Sequence, residues 1–294
     1  MASTITVPTA RSAGSHVEER DVQLTNGRIH AELSGTEGQP VLISINGLSA
    51  NLRSFDVIYN ALDQSKHRLV AYDCRGRGLS EDTGPGTYTW EPHARDVLEL
   101  ADKLGAETFD LAGWSFGTWV ALKVCELAPQ RVRRLVLIDG GGIPDEASTV
   151  PIYAGLERLT MVIPSREMFA QLAQQSGNYE PWDRWWPIFD YEFADVEGGI
   201  RARTSQAASW EDENFRKAQG ARTYDLWPHA TMPTLVVRAG REIVPGGGYI
   251  LTAADAERFV REGEGRTLVT VDAQHYGVGL HDDTAAAVKA FLES

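Results

Sequence analysis

The chain has 294 residues, 43% hydrophobic and 23% charged, with a formal net charge of −13. That length carries one large α/β domain with an insertion, or two domains, and the composition is that of a globular chain. The acidic balance argues against a broad basic surface for nucleic acid, and no apolar run nears the roughly 20 residues of a membrane helix. Neither nucleic acid nor a membrane is therefore an expected partner, and the charge balance does not identify a small-molecule substrate. Residues 1–19 begin rich in Ala, Ser and Thr, without the apolar block of a secretory signal, and read as a flexible tail. Residues 21–25 and 28–34 flank Asn26-Gly27, a hairpin signal. Residues 41–45 form a short apolar strand ending at Asn46-Gly47. Residues 54–62 read as a helix and 68–72 as the next strand, followed by the glycine-rich loop 73–80. In residues 91–104 the apolar positions Ala94, Val97, Leu98, Ala101 and Leu104 have helical spacing. Residues 109–112 are a buried strand, 118–127 a helix stopped by Ala128-Pro129, and 132–138 another buried strand. Downstream, 234–239 and 267–271 are strands, and 252–261 and 282–292 are helices.

Strands alternating with helices predict a mostly parallel sheet covered on both faces, with ligands bound beyond the C-terminal strand ends. The alternation stops between Ile143 and Met232. That stretch holds five of the eight tryptophans and is broken by Pro164, Pro181, Pro187 and Gly198-Gly199. It reads as a helical cap over residues 144–231, inserted into a core of residues 20–143 and 232–294. Cys74 and Cys125 lie inside or beside predicted core elements. They form no disulfide framework and suit a reducing cytoplasm. No Cys/His cluster has zinc spacing, so no metal is expected.

Gly113-Trp114-Ser115-Phe116-Gly117 fits G-x-S-x-G, with a strand before it and a helix after it. A serine on such a turn is pushed out to meet a substrate. Its hydroxyl needs a base, and the base needs an orienting acid. Among seven histidines, His275 follows the last predicted strand and is the best base; His281 lies at the start of the final helix. Two acids follow strand ends, Asp139 after residues 132–138 and Glu242 after residues 234–239, with Asp139 favoured for its apolar strand and its Gly140-Gly141-Gly142 neighbours. Acyl transfer also needs fixed N–H donors for an oxyanion, each worth roughly 3 kcal/mol. The backbone N–H groups of Phe116 and of Leu48, in Asn46-Gly47-Leu48-Ser49, are placed to supply them. Trp114, Trp185, Trp186, Trp210 and Tyr276 are candidate walls of an apolar substrate pocket.

With Ile45-Asn46-Gly47-Leu48, the loop from Tyr72 to Ser80, the elbow and Gln274-His275 in view, the chain resembles the α/β-hydrolase superfamily from about residue 20 to its end. The resemblance implies an eight-stranded sheet with helices on both faces, an inserted cap, no cofactor and a Ser–acid–His triad. Two departures stand out. Asn46-Gly47 replaces the usual His-Gly, and residues 240–245 lack the usual aspartate after the seventh strand. Some members take the acid from the end of the sixth strand, where Asp139 lies. One such subgroup is the acetamidomethylene-succinate hydrolase type. The expected activity is hydrolysis of an ester, lactone or amide with an apolar or aromatic body. The rivals are carbon–carbon bond hydrolysis of ring-cleavage products, and non-catalytic small-molecule binding on the same fold. Epoxide hydrolases and haloalkane dehalogenases place an aspartate at the elbow, which Ser115 argues against.

Overall fold

The computed structural model describes residues 17–294. The tail expected over residues 1–19 lies outside the described residues as far as residue 16. β1(Glu18–Leu24) starts within the rest of it and pairs antiparallel with β2(Gly27–Gly35). The two-residue turn falls on Thr25 and Asn26, one position before the expected one, because Gly27 already pairs with Leu24. Then come β3(Val41–Ile45), α1(Asp56–Ala61), β4(Arg68–Tyr72), α2(Trp90–Lys103), β5(Phe109–Trp114), α3(Phe116–Leu127) and β6(Val132–Ile138). After an excursion of some ninety residues the core resumes with β9(Thr234–Ala239), α8(Ala253–Arg261), β10(Arg266–Val271), the short α9(His275–Val278) and α10(Asp282–Leu292).

The eight strands run in the order β1-β2-β4-β3-β5-β6-β9-β10. Only β2 is antiparallel to its neighbours; the other pairings are parallel. Parallel strands buried on both faces need apolar residues at nearly every position, and β5 and β6 supply them. From Leu111 and Leu135 onward, past a register shift at the start of the pair, their side chains alternate. Phe109, Leu111, Leu135 and Leu137 join the core beneath α2, α3 and α8, while Ala112, Trp114, Val136 and Ile138 join the core on the side of α1 and α10. Each fully buried large aliphatic or aromatic side chain contributes roughly 1.5–3 kcal/mol.

The excursion, here termed the insert, contains α4(Thr149–Glu157), α5(Arg166–Gln175), α6(Trp182–Glu192), β7(Phe193–Val196), β8(Gly199–Ala202) and α7(Gln206–Gln219). The β7–β8 hairpin was not expected in a helical stretch. Its turn falls on Glu197 and Gly198, and Gly199 opens β8; both glycines are at positive φ, so a pair that reads as a helix breaker here serves a strand reversal. The insert is tied to the core at several points. Tyr191 donates to Asp73 (2.6 Å), Asn51 Nδ2 to the Ile188 carbonyl (2.9 Å), Arg184 to Asp282 (2.7 Å) and Gln274 to the Asn178 carbonyl (2.7 Å).

Candidate active site

Three strand ends converge. Ser115 follows β5, Asp139 follows β6 and His275 follows β10. With β6 and β9 adjacent and β9 beside β10, all three leave the sheet at its C-terminal edge. Ser115 has φ 53° and ψ −119°. Its N–H donates to the Ile138 carbonyl (2.8 Å), and its own carbonyl accepts from the Thr118 N–H (2.9 Å) and Thr118 Oγ1 (2.6 Å). The flanking glycines serve close approach. A Cβ on Gly117 would stand 2.1 Å from the Ile45 carbonyl oxygen, and one on Gly113 would stand 2.3 Å from that of Gly117. Among the described residues, Ser115 and Asp139 (φ 47°) are the only non-glycines at positive φ. Such backbone costs on the order of 1–3 kcal/mol per residue and persists where surrounding bonds dictate it. The Asp139 N–H is held by the Val237 carbonyl at 2.7 Å.

His275 Nε2 lies 3.0 Å from Ser115 Oγ, and Nδ1 lies 2.7 Å from Asp139 Oδ2. A carboxylate only accepts, so Nδ1 carries the proton and Nε2 faces the serine hydroxyl with its lone pair. The other oxygen of Asp139 accepts from the Ala239 N–H at 2.9 Å. Asp139 is 1% exposed and His275 4%, so water does not compete for this chain of bonds. Glu242 stands elsewhere, accepting from the Gly246 N–H (2.8 Å) within its own loop. His281 caps α10, its Nδ1 accepting from the Asp283 N–H.

The Gly47–Leu48 turn lies against the elbow; a Cβ on Gly47 would be 3.6 Å from that of Ser115. The N–H groups of Leu48 and Phe116 have no acceptor among the backbone bonds of the surrounding turns and caps. Asn46, standing where the superfamily usually has histidine, spans the turn. Its Nδ2 donates to the Ala50 carbonyl (3.0 Å) and its Oδ1 accepts from the Cys74 thiol (3.0 Å). Behind the turn is a group that the sequence analysis did not single out. Arg77 Nε donates to the Leu48 carbonyl (3.0 Å), and Arg77 Nη2 donates to Asp212 of α7 (2.6 Å), which His93 also contacts at 3.1 Å. The Arg77 guanidinium lies 5.6 Å from the centroid of the Phe116 ring, and the His93 ring meets it edge-on at 5.6 Å. Burial pushes the Asp212 carboxyl up, but the charges of His93 and Arg77 outweigh it and leave it below the ordinary value of 3.8. Only the motif's conspicuous arginine could have hinted at this network; its carboxylate is 135 residues away.

A cavity of about 140 Å³ opens onto Ser115 and His275, close to the roughly 150 Å³ that accepts one benzene ring in a dry protein cavity. Of the aromatics singled out, Trp114, Trp185 and Tyr276 line it. Trp186 instead packs against Trp182 (5.6 Å between centroids) and Trp210 against Tyr153 (4.9 Å); neither lines this cavity. Both thiols are buried, and burial raises each to about 12, far from thiolate chemistry at neutral pH. Among the described residues no three His, Cys, Asp or Glu are grouped to hold a metal ion, and no helix is long and apolar enough to cross a membrane.

A family model described as the alpha/beta hydrolase fold matches residues 40–158. The chain is 31% identical over 144 residues to a putative carbamate hydrolase RutD of Variovorax paradoxus, covering 49% of this chain and 54% of that one. It is 41% identical over 101 residues to a 2-hydroxymuconate semialdehyde hydrolase of Pseudomonas putida, covering 33% of each. The chain thus spans about half or less of these relatives' lengths. The crystal structure of an E-2-(acetamidomethylene)succinate hydrolase superposes with a TM-score of 0.81 at 22% identity, covering 95% of this chain and all of that one. Sheet order, elbow and these matches define the α/β-hydrolase fold. The chain has the α/β-hydrolase fold, and residues 40–158 match that family's model.

Proposed function

We propose that the chain is a serine hydrolase that cleaves an ester, lactone or amide of a small molecule through an acyl-enzyme. The observation that carries this reading is the unbroken sequence of contacts from Ser115 Oγ through His275 to Asp139, at 3.0 and 2.7 Å, on the wall of a cavity. Ser115 Oγ attacks the substrate carbonyl while His275 Nε2 takes its proton. Asp139 holds the Nδ1–H tautomer and stabilises the imidazolium. The oxyanion is held by the N–H groups of Leu48 and Phe116. As the intermediate collapses, His275 returns the proton to the leaving alcohol or amine, leaving Ser115 acylated. Water then attacks the acyl group as His275 takes its proton, and release of the acid restores the Ser115 hydroxyl. These steps use protein groups and water alone. On this reading residues 144–231 act as a cap, Trp114, Trp185 and Tyr276 contact substrate, and the protonated, buried thiols are those of a cytoplasmic enzyme.

Ser115→Ala is expected to cut kcat by at least about a thousandfold while leaving the melting temperature near that of the parent. A fluorophosphonate should form an adduct on Ser115, and its absence would favour the non-catalytic binding alternative. The partial likeness to a 2-hydroxymuconate semialdehyde hydrolase supports a second reading, hydrolysis of a carbon–carbon bond with the same residues. Turnover of a vinylogous diketone in preference to simple esters would select it.

A further inference from the structure

The cavity beside Ser115 is lined by a cation that no carboxylate among the described residues compensates. Arg158, just after α4, lines it together with Ser115 and His275. Its Nη1 is buried without a hydrogen-bond partner. Among the described residues its guanidinium makes no ion pair with any Asp or Glu, and residues 1–16 contain neither. The other arginine lining the cavity differs. Arg216 is neutralised by Glu213 through two bonds of 2.8 and 2.7 Å.

The rings of Phe169 and Phe189 lie 5.2 and 5.9 Å from the Arg158 guanidinium carbon. A ring beneath a guanidinium attracts its charge but leaves the N–H edge unsatisfied. Glu192, the remaining carboxyl on the cavity wall, makes no ion pair with Arg158. Its oxygens instead accept from the Thr204 N–H (3.0 Å) and Asn51 Nδ2 (3.3 Å), and burial raises its affinity for a proton. A planar fork of N–H donors facing an apolar cavity is matched by a planar, bidentate acceptor.

We infer that the cavity takes a small carboxylate-bearing molecule, with Arg158 binding its carboxylate while the scissile carbonyl lies at Ser115. This assignment rests on the serine-hydrolase reading for its substrate role, but the anion site itself stands on Arg158 alone. The cavity volume limits the bound portion to about one ring or a short chain.

Calorimetric titration of the full chain with benzoate and with its neutral isostere benzamide tests the site without turnover. Benzoate is expected to bind about tenfold to a hundredfold more tightly. That preference should vanish in Arg158→Met and persist, reduced, in Arg158→Lys. Equal binding of the two probes, no detectable benzoate binding at millimolar concentration, or an undiminished preference in a folded Arg158→Met overturns the proposal. Should Arg158→Met not fold, the parent comparison and the Arg158→Lys preference decide. Fluorophosphonate labelling of the parent reads the serine mechanism separately. A labelled Ser115 with no benzoate preference defeats the anion site alone, whereas benzoate preference with an unlabelled Ser115 defeats the hydrolase reading alone.

Discussion

Among the described residues, two buried histidine–aspartate pairs use the same groups in different surroundings. In the first, Asp139 accepts a hydrogen bond from the Nδ1–H of His275, and the other ring nitrogen meets a hydroxyl on a cavity wall. In the second, Asp212 meets His93 Nε2 at 3.1 Å while sharing its charge with Arg77, and His93 Nδ1 looks toward Asp96 at 3.9 Å. His93 lines no part of the cavity beside Ser115. The first pair has an open end through which a proton can pass. The second ends among buried groups, and Arg77 bridges Asp212 of α7 to the turn that carries Leu48. A buried His–Asp contact therefore says little about catalysis until its remaining nitrogen is followed to a partner.

Substitutions at the two aspartates should separate along that line. Asp139→Asn is expected to lower kcat by about ten-thousandfold, because an amide no longer fixes the tautomer, with stability altered by less than about 1 kcal/mol. Asp212→Asn should do the reverse. It strands the buried Arg77 charge and costs about 3–5 kcal/mol in a denaturant titration, with kcat reduced far less than by Asp139→Asn. If Asp212→Asn matched Asp139→Asn in kcat at unchanged stability, the second pair would not be a fastening.

A smaller effect concerns pH. Burial raises Asp73 to about 6 although Tyr191 and the N–H groups of Leu79 and Leu52 all donate to it. A raised carboxyl contributes stability that is complete below the ordinary value of 3.8 and is lost as pH rises through about 6. Asp212, held below its ordinary value, contributes in the opposite sense, above 3.8, and loses its contribution as the medium becomes more acidic. Asp73→Asn should thus remove a downward slope of at most about 1.4 kcal/mol per pH unit between pH 4 and 6, read from urea midpoints. The smallest effect is expected of Glu242→Gln, whose carboxyl accepts from the Gly246 N–H within its own loop. Its kcat should stay within about twofold of the parent, and a large loss would return Glu242 to contention as the acid.

The core was legible because its signals are local. Apolar runs at residues 109–112 and 132–138 become β5 and β6, and the strand–turn–helix around Ser115 follows from one motif. The candidate acids were less so. Both Asp139 and Glu242 follow strand ends, and only the relative placement of β6, β9 and β10 brings one of them to His275. The insert was least legible. Its pattern identified an excursion but not the β7–β8 hairpin, nor that Trp185 would face the cavity while Trp186, one residue on, would pack against Trp182. Arg77–Asp212 and Arg158 escaped for a related reason. An arginine's role depends on which carboxylate arrives from elsewhere in the chain, or on none arriving.

The left-handed backbone at Ser115 and Asp139 has an evolutionary corollary. Glycine relaxes such a conformation, so selection for heat resistance alone would drift toward glycine at the two positions where the proposed chemistry needs an oxygen. A library screened for survival of heating and then for turnover should show those two demands in direct opposition at both sites.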